Sequence, residues 1–534
     1  MPASDPVLDI QGLDIALPPG ADRRLAVSGV SLAIGAGEAL CVVGESGSGK
    51  SMIANAVMGL LPGPQVRATS GRILFEGRDL LALTDREMQD LRGRRIGMIF
   101  QEPMTALNPI MRIGDQIAEV YQSHMAMGAR ECRERVLAGL IDVGLPDPAR
   151  LIDSYPFRLS GGQRQRVMIA AALALEPKLL IADEPTTALD VTTQAQILKL
   201  IHDLQRRRGM ALLFITHDFG VVAEIADRVA VMSQGTVVEA GPARDVLDRP
   251  QHPYTRKLIA AIPHGHSSDR APATAPMPLL ELDQVAKTYR LPGGREVAAL
   301  KGVSLSLRKG ETLGIVGESG SGKSTIGRCV TGLTPITGGR IRFDGKDIAN
   351  LSPGALKPYR GRIQMVFQDP YASLNPRHRV GAAIMTGMLI KGVPKPKARE
   401  RAAELLSLVG LGAEALERYP HEFSGGQRQR IGIARALALE PELLVADEPV
   451  SALDVSVQAQ VLDLFDQVRR TFDLALLFIT HDLRVAAQMC DRVAVMRRGE
   501  LVEYGEADQV LRDPRHPYTQ ELIAAVPRLE REPA

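Results

Sequence analysis

Apolar and polar positions along this chain fall into two regimes, and each regime occurs twice. Short continuous apolar runs at residues 39–43, 179–182 and 212–215, and again at 312–316 and 443–446, lack a helical period and predict strands covered on both faces. Within residues 117–143 and 398–409 apolar side chains instead recur at three- and four-residue intervals, which predicts a helix-rich insert in each half. Strand-like pieces surround Gly-rich turns near residues 71–77 and 339–345. Strands alternating with helices predict a mainly parallel α/β core, and the inserts predict a helical subdomain.

The two halves are copies. The run Gly44-Glu45-Ser46-Gly47-Ser48-Gly49-Lys50-Ser51 returns letter for letter as Gly317-Glu318-Ser319-Gly320-Ser321-Gly322-Lys323-Ser324, an offset of 273. The offset is 267 from Gln101 to Gln368, and 264 from Ser160 to Ser424, Asp183 to Asp447, His217 to His481 and His252 to His516. A duplicated domain of about 260 residues is therefore expected rather than a short solenoid repeat. The expected division is a first domain at 1–263, a Pro/Ala/Ser-rich linker at 264–278 and a second domain at 279–534.

Each eight-residue run follows an apolar strand and opens a helical pattern. Its glycines let backbone N–H groups point at phosphate oxygens, and the helix adds its positive end. Lys50 and Lys323 are expected to reach the β- and γ-phosphates, and Ser51 and Ser324 to offer a hydroxyl to Mg²⁺; Thr325 follows in the second copy. Asp183-Glu184 and Asp447-Glu448 end buried strands, where open α/β sheets bind ligands. The first carboxylate of each pair suits the Mg²⁺ shell and the second the proton of an attacking water. Ser160-Gly161-Gly162-Gln163 and Ser424-Gly425-Gly426-Gln427 are a second pair of phosphate-sized helix N-termini, each 23 residues before its Asp (160 to 183, 424 to 447).

Composition narrows the partners. The 534 residues exceed one core, and 45% hydrophobic with 24% charged residues is ordinary for a globular protein. A net charge of +2 gives no pull toward nucleic acid. The four cysteines are far apart, and no apolar run approaches the ~20 residues of a bilayer span. A soluble, cytosolic protein is expected.

Taken together these motifs resemble the nucleotide-binding domains of ATP-binding cassette (ABC) proteins, present twice and covering nearly all of the chain. The resemblance implies, in each half, a RecA-like P-loop core with an antiparallel β subdomain and a helical subdomain carrying the Ser-Gly-Gly-Gln signature. It identifies Gln101 and Gln368 with the glutamine loop, which touches Mg²⁺ and the attacking water. His217 and His481, each 34 residues after its Asp (183 to 217, 447 to 481), match the switch histidine on the γ-phosphate. Ala188-Leu189-Asp190 and Ala452-Leu453-Asp454 match the loop coupling the two sites. Head-to-tail pairing implies one site of Lys50, Ser51, Gln101, Asp183, Glu184 and His217 closed by Ser424, Gly426 and Gln427. The other comprises Lys323, Ser324, Gln368, Asp447, Glu448 and His481 closed by Ser160, Gly162 and Gln163. Mg²⁺ would take Ser51, Gln101 and Asp183, and Ser324, Gln368 and Asp447.

Members of the family usually stack an aromatic residue on adenine. Tyr289 fits in the second half, 28 residues before Gly317, whereas the same count back from Gly44 reaches Ala16, and no aromatic precedes Phe75. The first site is expected to bind ATP more weakly. Gln251-His252-Pro253-Tyr254-Thr255 and Arg515-His516-Pro517-Tyr518-Thr519 read locally as an X-Pro turn before a short amphipathic helix. They look like the tail of oligopeptide, dipeptide and nickel importer ATPases, as do Gln101-Glu102-Pro103 with Leu107-Asn108-Pro109 and Gln368-Asp369-Pro370 with Leu374-Asn375-Pro376. That resemblance implies an ATP-driven importer motor on the cytoplasmic face of the inner membrane, reaching the membrane through two permease subunits served by an extracytoplasmic solute-binding protein. No iron–sulfur cluster is expected, because neither tail holds a cysteine. The alternative is a translation factor of the same superfamily, which carries a long charged helical linker that this chain lacks.

Overall fold

The computed structural model describes residues 5–101, 106–186, 189–262, 277–290, 294–451 and 453–526. Most of the linker, Glu102 and Pro103, Ala188 and Ala452 lie outside them. The described residues form two compact units of the same architecture, one within 5–262 and one within 277–526.

In the first unit a six-stranded sheet has the order Thr236–Pro242, Arg228–Ser233, Ala39–Val43, Ala211–Thr216, Leu179–Asp183, Ile96–Ile99. Every neighbouring pair is parallel except the first, an antiparallel hairpin at one edge. The parallel strands Ala39–Val43, Leu179–Asp183 and Ala211–Thr216 are buried at every position, as the unbroken apolar runs require when both faces are covered. Ala39–Val43 lies inside the sheet between Arg228–Ser233 and Ala211–Thr216, two strands that are consecutive in the chain and distant from it. The phosphate run at its carboxyl end therefore opens where strand order reverses, the usual ligand position in such sheets.

A separate antiparallel sheet, ordered Leu25–Ile34, Leu8–Ala16, Arg67–Phe75, Arg78–Asp79, packs its apolar positions onto this core. Ile10, Ile15, Val27, Ile73 and Phe75 join Leu40, Val42, Ile53, Val57, Ile181 and Leu213 in one buried cluster. The turn expected near 71–77 is a hairpin with Glu76 and Gly77 both at positive φ (47° and 80°), the geometry of a twist-matched two-residue turn. The second unit repeats both sheets: Glu296–Arg308, Pro278–Arg290, Gly338–Phe343, Lys346–Asp347, and Ile363–Val366, Leu443–Asp447, Ala475–Ile479, Thr312–Val316, Arg492–Arg497, Glu500–Glu506.

The helical inserts differ in detail from the periodicity. Residues 117–143 are not one helix but two, Ile113–His124 and Ala129–Asp142. The break follows Met125, which is extended, and Gly128 starts the second helix. In the second unit Val380–Ile390 precedes Lys395–Leu408, with Pro394 at the junction blocking a continuous helix. Val380–Ile390 is apolar almost all round, with no polar face to set a period.

Candidate nucleotide sites

Each phosphate run forms a closed loop between strand and helix. Gly49 and Gly322 cap the helices Lys50–Val57 and Lys323–Val330 at φ 105° and 107°, a region that only glycine enters freely. The lysines that begin those helices are buried, and their ammonium groups turn back into the loop. Lys50 Nζ donates to the carbonyls of Gly44 (2.7 Å) and Glu45 (2.9 Å), and Lys323 Nζ to those of Gly317 (2.7 Å) and Glu318 (2.8 Å). A buried cation is thus held where phosphate charge is to be received.

The two oxygen donors expected to share Mg²⁺ already touch in both units. Ser51 Oγ donates to Asp183 Oδ1 at 3.0 Å, and Ser324 Oγ to Asp447 Oδ1 at 2.8 Å. Burial pushes the Asp183 carboxyl up to about 6 against the lowering effect of the Ser51 hydrogen bond, and burial raises Asp447 likewise. A carboxylate that burial makes costly to ionise is stabilised by a cation, and hydroxyl, carboxylate and amide oxygens are the donors a hard divalent ion prefers. The donor set therefore fits Mg²⁺.

Next to it stands the carboxylate expected to act as base. Glu184 Oε2 accepts from Gln101 Nε2 at 3.1 Å and lies 3.3 Å from His217 Nδ1. Glu448 Oε2 accepts from Gln368 Nε2 at 2.9 Å and lies 3.1 Å from His481 Nδ1. Three segments far apart in sequence thus meet on one oxygen in each unit. Glu184 and Glu448 both have φ 45°, a strained conformation ahead of a proline that persists where the surroundings impose it. Their amides donate to Ile215 and Ile479 carbonyls at 2.9 Å, which anchors the turn to the adjacent strand. Burial alone would raise Glu448, but the His481 hydrogen bond and charge hold it below the ordinary carboxylate range. His481 is held above its ordinary value by the same partner, against burial. In the second unit the pair therefore favours a charged imidazole beside an ionised carboxylate, the form of Glu448 that can accept a proton.

The signature serines cap their helices. Ser160 Oγ accepts from Gln163 N (3.3 Å) while the Gln163 side chain accepts from Ser160 N (3.0 Å), and Ser424 with Gln427 does the same at 3.4 and 3.0 Å. This reciprocal capping box presents Gly161–Ala172 and Gly425–Leu437 amino end first. Gly162 and Gly426 are needed for a reason invisible locally. A Cβ there would lie 2.5 Å from Thr193 Cγ2 or 2.2 Å from Val457 Cγ1 on the following long helix.

A cavity of ≈ 920 Å³ opens over the first cradle, lined by Glu45 to Met52, Gln101 and Glu184. Ser160, Gly162 and Gln163 are not among its lining residues. Two further contributors are Arg23, whose guanidinium donates to the Gly47 carbonyl, and Tyr254 from the tail. No signal in the sequence pointed to Arg23, since the 273 offset places it opposite Glu296, which accepts from Arg290 at 3.0 Å in the other unit. Tyr254 stands in the repeated His-Pro-Tyr-Thr run, which locally reads only as a turn before a short helix. Leu17 lies in the lining beside the expected adenine position, and Ala16 is the last residue of its strand. In the second unit Tyr289 is on strand Pro278–Arg290, with Lys287 Nζ 5.0 Å from its ring centre.

A glycine-rich loop with a buried lysine, a serine–aspartate pair and an activated glutamate define a P-loop nucleoside triphosphatase. The pattern that defines the ABC transporter family matches residues 27–187 and 300–451, and that of the oligopeptide/dipeptide transporter C-terminal region matches 238–287 and 502–534. The chain is 47% identical to the peptidoglycan transport ATP-binding protein YejF of Agrobacterium fabrum over 99% of its own length and 97% of that protein's. It is 46% identical to the glutathione import ATP-binding protein GsiA of Pectobacterium atrosepticum, over 98% and 89%. This protein belongs to the ABC transporter family and is an ATP-hydrolysing importer subunit with two fused nucleotide-binding domains. Its tail matches and these relatives exclude the ribosomal alternative. Among the described residues no helix is long and apolar enough to cross a membrane.

Proposed function

We propose that this protein drives the import of peptides or small peptide-like solutes from the cytoplasmic face of the inner membrane, working on two separate permease subunits fed by an extracytoplasmic solute-binding protein. The observation that carries the reading is the glutamate held between glutamine and histidine in both units. Two complete sites argue for two working sites. The peptide class is supported by the oligopeptide/dipeptide tail and by relatives named for peptidoglycan transport and glutathione import. The domain division is 1–263, 264–278 and 279–534.

In this reading the backbone amides of 44–51 and 317–324, with Lys50 and Lys323, bind and orient the triphosphate. Ser51, Asp183 and Gln101 would hold Mg²⁺ in one site and Ser324, Asp447 and Gln368 in the other, and the ion would supply positive charge against the phosphates. Glu184 and Glu448 take the proton of the attacking water, and His217 and His481 orient those carboxylates and contact the γ-phosphate. The halves pair head to tail, Ser424, Gly426 and Gln427 closing the first site and Ser160, Gly162 and Gln163 the second. Closure is favoured because ATP binds the closed state better than the open one. Gln101 and Gln368 pass the movement to the permeases.

A tagged full-length protein expressed in its own host and purified from solubilised membranes is expected to bring down two multi-span permeases. Recovery of ribosomes without membrane protein would refute the importer reading. A second expectation concerns the missing aromatic. With the other site silenced by Lys323→Ala or Lys50→Ala, the first site is expected to bind ATP about 10-fold more weakly than the second, the cost of about 1–3 kcal/mol for a lost base stack. Equal dissociation constants in a fluorescent-nucleotide titration would show that Tyr289 contributes no stack.

A further inference from the structure

The His-Pro-Tyr-Thr tails have no part in the chemistry above, yet each reaches back to a phosphate loop. The imidazole Nδ1 of His252 accepts from Tyr254 N at 3.2 Å and caps helix Pro253–Ala260. Pro253 takes the first helical position, where no N–H is needed. The Glu239 carboxylate accepts from the amides of Gln251 (2.7 Å) and His252 (3.1 Å), pinning the turn to the edge hairpin. Thr255 and Leu258 are buried beneath. The phenol so positioned accepts from the amide of Glu45 at 3.4 Å.

The second unit repeats this group by group. His516 Nδ1 accepts from Tyr518 N at 3.1 Å, and Glu503 from Arg515 N and His516 N at 2.8 and 3.1 Å. Tyr518 and Leu522 belong to the buried core, and the Arg497 guanidinium lies 4.5 Å from the Tyr518 ring centre. The Tyr518 hydroxyl accepts from Glu318 N at 3.3 Å.

The other end of each contacted peptide unit is also occupied. The Gly44 carbonyl and the Glu45 amide belong to one peptide plane, whose oxygen is held by Lys50 from inside the loop and whose N–H faces Tyr254. Lys323 and Tyr518 hold the Gly317–Glu318 plane in the same way. A peptide plane gripped at one end can rotate, whereas one gripped at both cannot without breaking a bond. Burial pushes both phenols up to about 12, so each remains a neutral acceptor at working pH.

We propose that Tyr254 and Tyr518 are positioning residues for ATP binding. Each locks the first peptide plane of its phosphate loop, so that the loop is already in its binding shape when nucleotide arrives. The tail motif is thereby a brace of the nucleotide site, and its His, Pro and Thr serve to aim the phenol.

The test is Tyr254→Phe, Tyr518→Phe and the double variant in the full-length protein, a substitution that keeps the ring and removes only the hydroxyl. Each altered site is expected to lose about 3- to 10-fold in affinity for a fluorescent ATP analogue, the effect of one hydrogen bond. KM for ATP should rise accordingly, with kcat at saturating ATP and the unfolding temperature without nucleotide unchanged. Unchanged affinity overturns the proposal. So does a loss of affinity that comes with a matching fall in kcat and unfolding temperature, since that pattern marks a tail that only supports the fold. The readout needs no membrane partner and is independent of the importer reading.

Discussion

Replacing Glu184 and Glu448 together by glutamine is expected to lower ATP turnover by about 10²- to 10⁴-fold, the usual share of a general base, while ATP binding persists. The geometry gives both halves of this expectation. Glutamine keeps the shape and can still meet the Gln101 or Gln368 amide and the histidine ring, so the turn at φ 45° and its anchoring bond to Ile215 or Ile479 stay in place. It cannot accept the proton that the ionised carboxylate accepts. Binding rests instead on the loop amides and on Lys50 and Lys323, whose ammonium groups are held by the loop carbonyls. Because both sites have the same set of groups, each single variant is expected to retain measurable turnover. Phosphate release and nucleotide titration on the three variants decide the matter. If Glu184→Gln left turnover untouched while Glu448→Gln abolished it, the first site would be a binding site only.

Gly317→Ala and Gly44→Ala are expected to destabilise the protein by about 3 kcal/mol or more each and to cost at least about 10-fold in ATP affinity. The added Cβ would lie 2.2 Å from the Met496 carbonyl oxygen in one case and 2.2 Å from that of Met232 in the other. Both acceptors are backbone atoms of a sheet strand and cannot swing away. Both glycines also sit at positive φ, 143° and 154°. Gly320 and Gly47 provide the comparison, at φ 78° and 76° with nothing within 4 Å of a Cβ. Alanine there meets strain but no obstacle and is expected to cost only about 1 kcal/mol. Chemical denaturation of the four variants checks the order. Equal losses at Gly317 and Gly320 would mean that the loop is free to move off the strand.

The duplication, the strands and the phosphate loops were legible in the chain because each depends on local spacing. A strand covered on both faces must be apolar throughout, so residues 39–43, 179–182 and 312–316 declared themselves. A phosphate loop needs glycine, lysine and serine at fixed intervals, and its exact repetition in the second half removed chance. The helix break at Gly128 was less legible, since an amphipathic period continues across a short interruption, and Val380–Ile390 ahead of Pro394 has no polar face to set a period.

What the sequence determined by itself was therefore the inventory: two copies of a P-loop α/β domain and the nucleotide chemistry that such loops serve. What only the tertiary structure decided was convergence. Gln101 and His217 are 116 positions apart (101 to 217), and nothing in either neighbourhood says that both meet Glu184 Oε2. Neither does any local pattern explain why Gly162 must be glycine, since the obstacle is Thr193 on another helix, or why a tyrosine over 200 residues downstream of a phosphate loop (Glu45 to Tyr254) should brace it. The physical reason is the same in each case. Spacing along a chain encodes contacts made within a strand, a turn or a helix, whereas contacts between elements depend on the order in which the sheet stacks them.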